Sequence, residues 1–220
     1  MNDWLIRYRH TIFICGLLVF FFVPELAEIL FGWRAAFPWR ILIFTASSIP
    51  LVLAHPKEKI LLGILIVMVF IMTVFWGKYQ LTPGLTYTAI SLLLVYFTII
   101  TLLLFNDVFR AREVSIPIVI GSFSGYFLIG VLFFLFFALL DIALPDTLNI
   151  DNSLTEGLES TFYFSFITLA TVGYGDYLPT STLGQKVAIL EALAGQFYIA
   201  AVIATIVGKF ISRPAKGPSD

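Results

Sequence analysis

Residues 168–176 read Thr168-Leu169-Ala170-Thr171-Val172-Gly173-Tyr174-Gly175-Asp176. Gly173 and Gly175 stand two apart, and glycine enters positive φ at little steric cost. A backbone that alternates its conformation there can aim successive carbonyl oxygens at one axis. Val172 and Tyr174 then project away from that axis into a packed collar, and the Thr171 hydroxyl can add a ligand at the inner end. Carbonyls are neutral dipoles, so they can replace the water around a cation without holding it as tightly as carboxylates would.

The flanking sequence places this stretch in a membrane. Of 220 residues, 60% are hydrophobic and 12% charged, against about 25% charged in a soluble domain. Residues 158–169, just before the stretch, are apolar but too few for a bilayer crossing, which takes ~20 residues. Gly173, Gly175 and Pro179 follow instead of further helix. Irregular backbone at membrane depth is tolerated only inside protein or along a water-filled path, so a re-entrant helix and loop are predicted. Apolar runs at 116–140 and 186–211 flank it, and four more precede it at 11–30, 39–54, 60–76 and 85–105. The expected fold is all-α, with six transmembrane helices and the re-entrant element between helices 5 and 6.

Residues 1–110 then form a four-helix N-terminal membrane domain, 111–211 a second unit around the re-entrant element, and 212–220 a tail too short for a regulatory domain. Arg7, Arg9 and His10 precede the first apolar run with signal-peptide polarity, but Pro24, Glu25 and Glu28 follow in place of a small-residue cleavage site, so an uncleaved span is expected. With the N-terminus in the cytoplasm, Arg7, Arg9, Lys57, Lys59, Arg110, Arg112, Lys209, Arg213 and Lys216 lie inside. Arg34, Arg40, Lys78 and Lys186 lie outside. That asymmetry follows the positive-inside rule and predicts a multi-pass protein of the cell membrane with both termini cytoplasmic. Residues 141–185 carry no Lys or Arg but do carry Asp141, Asp146, Asp151, Glu156, Glu159 and Asp176. Such a loop is either a solvated acidic surface or an outer mouth that concentrates cations, and both can hold.

The run from Thr168 to Asp176, with a short helix before it and a membrane helix on each side, resembles the signature of the potassium channel family. The resemblance covers about residues 116–211. It implies potassium ions held by the carbonyls of Thr171, Val172, Gly173 and Tyr174, with Gly175 completing the filter. It further implies a support bond from Asp176 to an aromatic of the pore helix, here Tyr163. One chain offers one filter strand, so a homotetramer in the lipid bilayer is implied. The family often has Thr or Ser where this chain has Ala170, which removes a hydroxyl behind the filter. In helix 6, Glu191, Ala192, Gly195, Gln196 and Tyr198 are similar to a run in bacterial pore subunits. Gly195 is read either as a gating hinge or as a close helix–helix contact. Gln196 either faces the cavity or caps the pore helix. Glu191, an acid within a span, either supports the filter from behind or touches the ion path.

Six spans with a pore loop before the last resemble voltage-gated channels in layout, but the four-helix part lacks their charges. Residues 85–105 contain no Lys or Arg, and Arg110 and Arg112 come after them, so steep voltage sensing is not expected. Ser47, Ser48 and Pro50 are expected to pack helices, and Glu25 and Glu28 to meet Arg34 or Arg40. Trp4, Trp33, Trp39 and Trp76 sit near span ends as interfacial anchors do. His10 and His55 are expected on the surface, and Cys15, the sole cysteine, as a small packing residue. No nucleophile–base pair, metal cluster or phosphate loop argues for an enzyme. No organic cofactor and no nucleic-acid partner are expected. The alternatives are a transporter subunit, a non-selective channel, and a non-conducting sensor or accessory protein on the same fold.

Overall fold

The computed structural model describes residues 4, 8–32, 37–55, 59–79, 83–111, 115–144, 147–150 and 154–211. The described residues are helical almost throughout. The helices are α1 (Arg9–Phe31), α2 (Phe37–Ser47), α3 (Ile49–Leu53), α4 (Lys59–Tyr79), α5 (Pro83–Arg110), α6 (Ile116–Ala143), α7 (Leu154–Leu169) and α8 (Thr182–Phe197). A π-helical stretch, Tyr198–Ile203, then leads into α9 (Ala204–Ile211). Among the described residues, four helical stretches are long and apolar enough to cross a membrane: Arg9–Phe31, Gly84–Arg110, Ile116–Ala143 and Thr182–Ile211. Two shorter apolar helices accompany them, Arg40–Leu53 and Lys59–Val74.

The expected second span is therefore two helices. Ser48 interrupts it, and Pro50 sits in the first turn of α3, where its missing N–H is harmless. The serines here pack rather than form a site. Ser47 and Ser48 donate to the carbonyls of Phe44 and Thr45, each at 2.6 Å, and Ser48 also meets the Tyr96 hydroxyl. Gly16 lies so close to Ser47 that a Cβ there would collide with it. Cys15 is exposed on the outer face of α1, not packed. Trp4 is exposed; Trp33 and the side chains of Trp39 and Trp76 lie outside the described residues, as do Arg7, Arg34, Lys57, Arg112, Asp146, Asp151 and the tail at 212–220.

Helices α5 and α6 are the central pair. α6 packs on α1 on one side and on α7, α8 and the π-helical stretch on the other. Phenylalanines do most of the joining. Phe20 and Phe21 of α1 meet Phe162 and Phe166 of α7, with ring centroids 5.1–5.3 Å apart. Phe44 of α2 stacks on Phe97 of α5 at 4.9 Å. The short helix α7 is thus held between α6, α8 and the first helix. Its 16 residues begin at Leu154, before the apolar run at 158.

Two expectations about charge change with the structure. His10 is not a surface residue: it is 1% exposed. His55 is largely covered too, with its side chain 13% exposed. Both face Asp107 of α5. Glu25 meets Arg40 at 2.9 Å, and the same guanidinium reaches Glu159 of α7 at 3.6 Å, a contact between the N-terminal helices and α7 that the spacing of charges did not announce.

Candidate ion-conduction site

The end of α7 determines the geometry of the loop that follows. Thr171 donates its N–H to the carbonyl of Thr168 at 2.9 Å, and Val172 to that of Ile167 at 2.9 Å. This is a Schellman ending, with Thr171 in the left-handed position that glycine usually fills. Its φ is 56°, a conformation that costs an L-residue of this kind about 1–2 kcal/mol. Gly173 at 55° and Gly175 at 81° repeat that conformation. Left-handed backbone therefore recurs at every second residue from 171 to 175. Val172 and Tyr174 between them are 51% and 73% exposed in the single chain, and a Cβ at either glycine would meet open space. The glycines are used for their φ, not for lack of room.

The far side of the loop is pinned by hydrogen bonds. Asn149 N–H donates to the carbonyl of Leu178 at 3.0 Å, and Thr180 N–H to that of Thr147 at 2.9 Å, around an antiparallel bridge between Leu148 and Pro179. The Asn149 side-chain oxygen accepts the Leu178 N–H. Ser181 then caps α8 by accepting the Gly184 N–H at 3.0 Å. Behind the loop, Tyr163 lies beside Asp176, whose Oδ1 accepts the Tyr177 N–H at 3.0 Å. Tyr163 also meets the Tyr177 ring edge-on at 5.9 Å, and Ser160 donates to the Tyr177 hydroxyl at 3.2 Å.

The inner side is shaped by α6 and α8. Gly195 faces the end of α7 so closely that a Cβ would collide with the Leu169 carbonyl oxygen. Tyr126 of α6 donates its hydroxyl to the same oxygen at 3.2 Å. Gly195 itself lies within regular α-helix, and α geometry is lost three residues later, at Tyr198. Gln196 donates from Nε2 to the Thr171 hydroxyl at 3.1 Å. Glu191 is 0% exposed, with Oε1 2.5 Å from Ser165 Oγ. That hydroxyl is also 2.9 Å from the Gly130 carbonyl. Glu191 thus sits against the middle of α7, away from the open face of Val172 and Tyr174.

The structure brings Tyr163 to Asp176, Gln196 to Thr171, and Glu191 to the pore helix. Reading the sequence missed Tyr126, Ser165, Ser160 and Asn149. Tyr126 and Ser165 were legible only as polar residues in apolar helices, and their partners are backbone or distant in sequence.

A family model described as an ion channel matches residues 126–212. The inward rectifier potassium channel Kirbac3.1 of Paramagnetospirillum magnetotacticum is 34% identical over 104 residues, 47% of this chain and 33% of that protein. The putative potassium channel protein YugO of Bacillus subtilis is 39% identical over 62 residues, 28% of this chain and 18% of its own. The voltage-gated potassium channel regulatory subunit KCNF1 of Rattus norvegicus is 37% identical over 60 residues, 27% and 12%. The chain thus spans a third or less of the length of these curated relatives. No solved structure matches it significantly. The match to the ion channel family falls on the segment that holds most of α6, α7, the alternating loop and α8, and the similar proteins named above are potassium channels or a channel subunit.

Proposed function

We propose that the chain is a subunit of a potassium-selective channel and that residues 171–175 are its filter. The observation that carries the reading is the alternation of left-handed backbone at Thr171, Gly173 and Gly175. Repeating that conformation at every second residue turns consecutive carbonyls toward one side. Four such strands about an axis then supply rings of oxygen in place of a hydration shell. Potassium sits at the carbonyls of Thr171, Val172, Gly173 and Tyr174, and moves passively down its gradient. The assembly is a homotetramer, because a single strand makes no ring. The exposed Val172 and Tyr174 side chains support this: both are large apolar groups that a neighbouring subunit would cover. Six helices cross the bilayer, with α2–α3 and α4 as the two short ones, and both termini are cytoplasmic. Asp176 with Tyr163, Glu191 with Ser165, and Gln196 with Thr171 hold the filter, and the C-terminal end of α7 offers its negative dipole end to a cation.

The chemistry is transport without bond making. The matched relatives carry the names of channels and a channel regulatory subunit rather than enzymes. That last name keeps a second reading in view, a non-conducting or weakly selective membrane subunit. Flux decides between them. Purified protein in liposomes of lipid alone is expected to pass potassium far faster than sodium and to be blocked by barium. Equal rates for the two ions, or no flux, would refute the filter assignment.

A further inference from the structure

Asp107 of α5 is shared by three basic side chains from two other elements. Arg9 Nε of α1 donates to Asp107 Oδ2 at 2.9 Å. His10 Nε2, on the same helix, stands 3.8 Å from that oxygen. His55, just after α3, places Nε2 3.2 Å from Asp107 Oδ1 and Nδ1 2.9 Å from the carbonyl of Leu51. The histidine contacts fix the protons. A carbonyl only accepts, so His55 Nδ1 must carry hydrogen to meet Leu51. A neutral ring would then turn the lone pair of Nε2 toward a carboxylate oxygen, two acceptors face to face. With a second proton the ring becomes a cation, and its Nε2 faces Asp107 Oδ1 at ion-pair distance instead. The arrangement favours the doubly protonated ring.

The cluster touches the channel segment. His10 is buried, neither ring nitrogen has a hydrogen-bond partner, and the ring fills the notch at Gly121 of α6, where a Cβ would lie 3.1 Å from Nδ1. Val108 of α5 borders the same notch. Among the described residues, the charged and titratable groups around His55 are Asp107 on α5, Arg9 and His10 on α1, and Lys59 at the start of α4, whose backbone N–H donates to the His55 carbonyl at 3.0 Å. Helix α6 contributes Gly121 there, and its neighbours at 117–125 include no ionisable side chain. Arg9 keeps Asp107 paired whether or not His55 is charged, so the aspartate has a partner in both states and only the His55 arm is released.

We propose that His55 and Asp107 form a proton-loaded latch, closed when His55 is charged, which holds the end of α3 against the last turn of α5, while Arg9 ties α1 to the same carboxylate in both states. Imidazole is the side chain that ordinarily changes charge between about pH 5 and 8. The sign is set by the geometry: the latch is complete on the acid side and opens as pH rises. Its effect on current rests on the channel reading above, but the latch itself does not. The chain has two histidines, so the protein labelled with 15N-histidine in nanodiscs gives two ring systems. One of them, absent from His55→Gln, is expected to carry both protons near about pH 5, and to retain hydrogen on Nδ1 when neutral near about pH 8. A ring that is neutral throughout that range, or neutral with hydrogen on Nε2, overturns the latch. In liposomes, potassium flux is expected to change by about fivefold or more over the same range. His55→Gln and Asp107→Asn should flatten that change, while His10→Gln should keep it. If wild-type flux is absent, the channel reading fails and the ring spectrum still judges the latch. If flux is present but His55→Gln keeps the full pH profile, the coupling to the pore is refuted.

Discussion

Thr171 is the residue at which two demands meet. As the left-handed residue that ends α7 it would be better as glycine, yet its hydroxyl accepts from Gln196 at 3.1 Å. Thr171→Gly should therefore relieve about 1–2 kcal/mol of backbone strain and raise thermal stability, while losing the hydroxyl at the inner end of the proposed filter. A melting temperature above wild type together with weakened potassium-over-sodium selectivity is the expected pair of results. Lower stability would mean that the strain is absent. Gly173→Ala is the opposite case. Its φ of 55° disfavours alanine, while the space around it is open. Flux should fall sharply while the helical content by circular dichroism is unchanged. Unaltered selectivity in this variant would contradict the role of the alternating backbone. Gly195 fails for a different reason, collision with the Leu169 carbonyl. Gly195→Ala should destabilise by about 1–3 kcal/mol through overpacking. A fully stable Gly195→Ala protein would reject the close contact.

At the scale of elements, α7 is fastened by partners from four others. α6 contributes Tyr126 and the Gly130 carbonyl, α8 contributes Glu191, α1 its phenylalanines, and α2 Arg40, while Gln196 of α8 holds Thr171 just beyond it. Arg40 is only 7% exposed, whereas Glu25 and Glu159 are 53% and 46% exposed. Removing the guanidinium leaves two carboxylates that water can still reach. Arg40→Leu should thus lower stability modestly but loosen α7 from the N-terminal helices. Hydrogen exchange at the start of α7 is the measurement, and faster exchange there than in α8 is expected. Uniform protection in both helices would show that Arg40 does not couple them. How much of this was readable follows from its physical origin. The long apolar helices and the short helix α7 follow from runs of apolar residues, and the left-handed positions of Gly173 and Gly175 from two glycines two residues apart. The break at Ser48 and the start of α7 at Leu154 fall at or beside polar residues, which an apolar count ignores. Arg40–Glu159 and His55–Asp107 join residues more than fifty positions apart, and charge spacing along one chain holds no record of which helix ends meet.

For the whole molecule, the distribution of charge bears on how the proposed channel responds to voltage. A charge that crosses the field gains ~2.3 kcal/mol per 100 mV, and steep sensors move three or four per subunit. α5 occupies the position of such a sensor in the helix order, yet its only basic residue is Arg110 in the last turn. Its one acid in the lower half, Asp107, is tied to Arg9 and His55. Moving α5 would therefore carry almost no net charge through the field and would break the cluster that joins it to α1. In symmetric potassium solutions, the conductance is expected to vary weakly with voltage, with an apparent gating charge well below one per subunit. The same bilayer should respond to pH through His55, so a voltage series at acid and alkaline pH gives two curves that differ in amplitude and share a slope. A slope worth several charges would mean that a charged element outside α5 crosses the field, and the division into a pore segment and an uncharged helical scaffold would have to be abandoned.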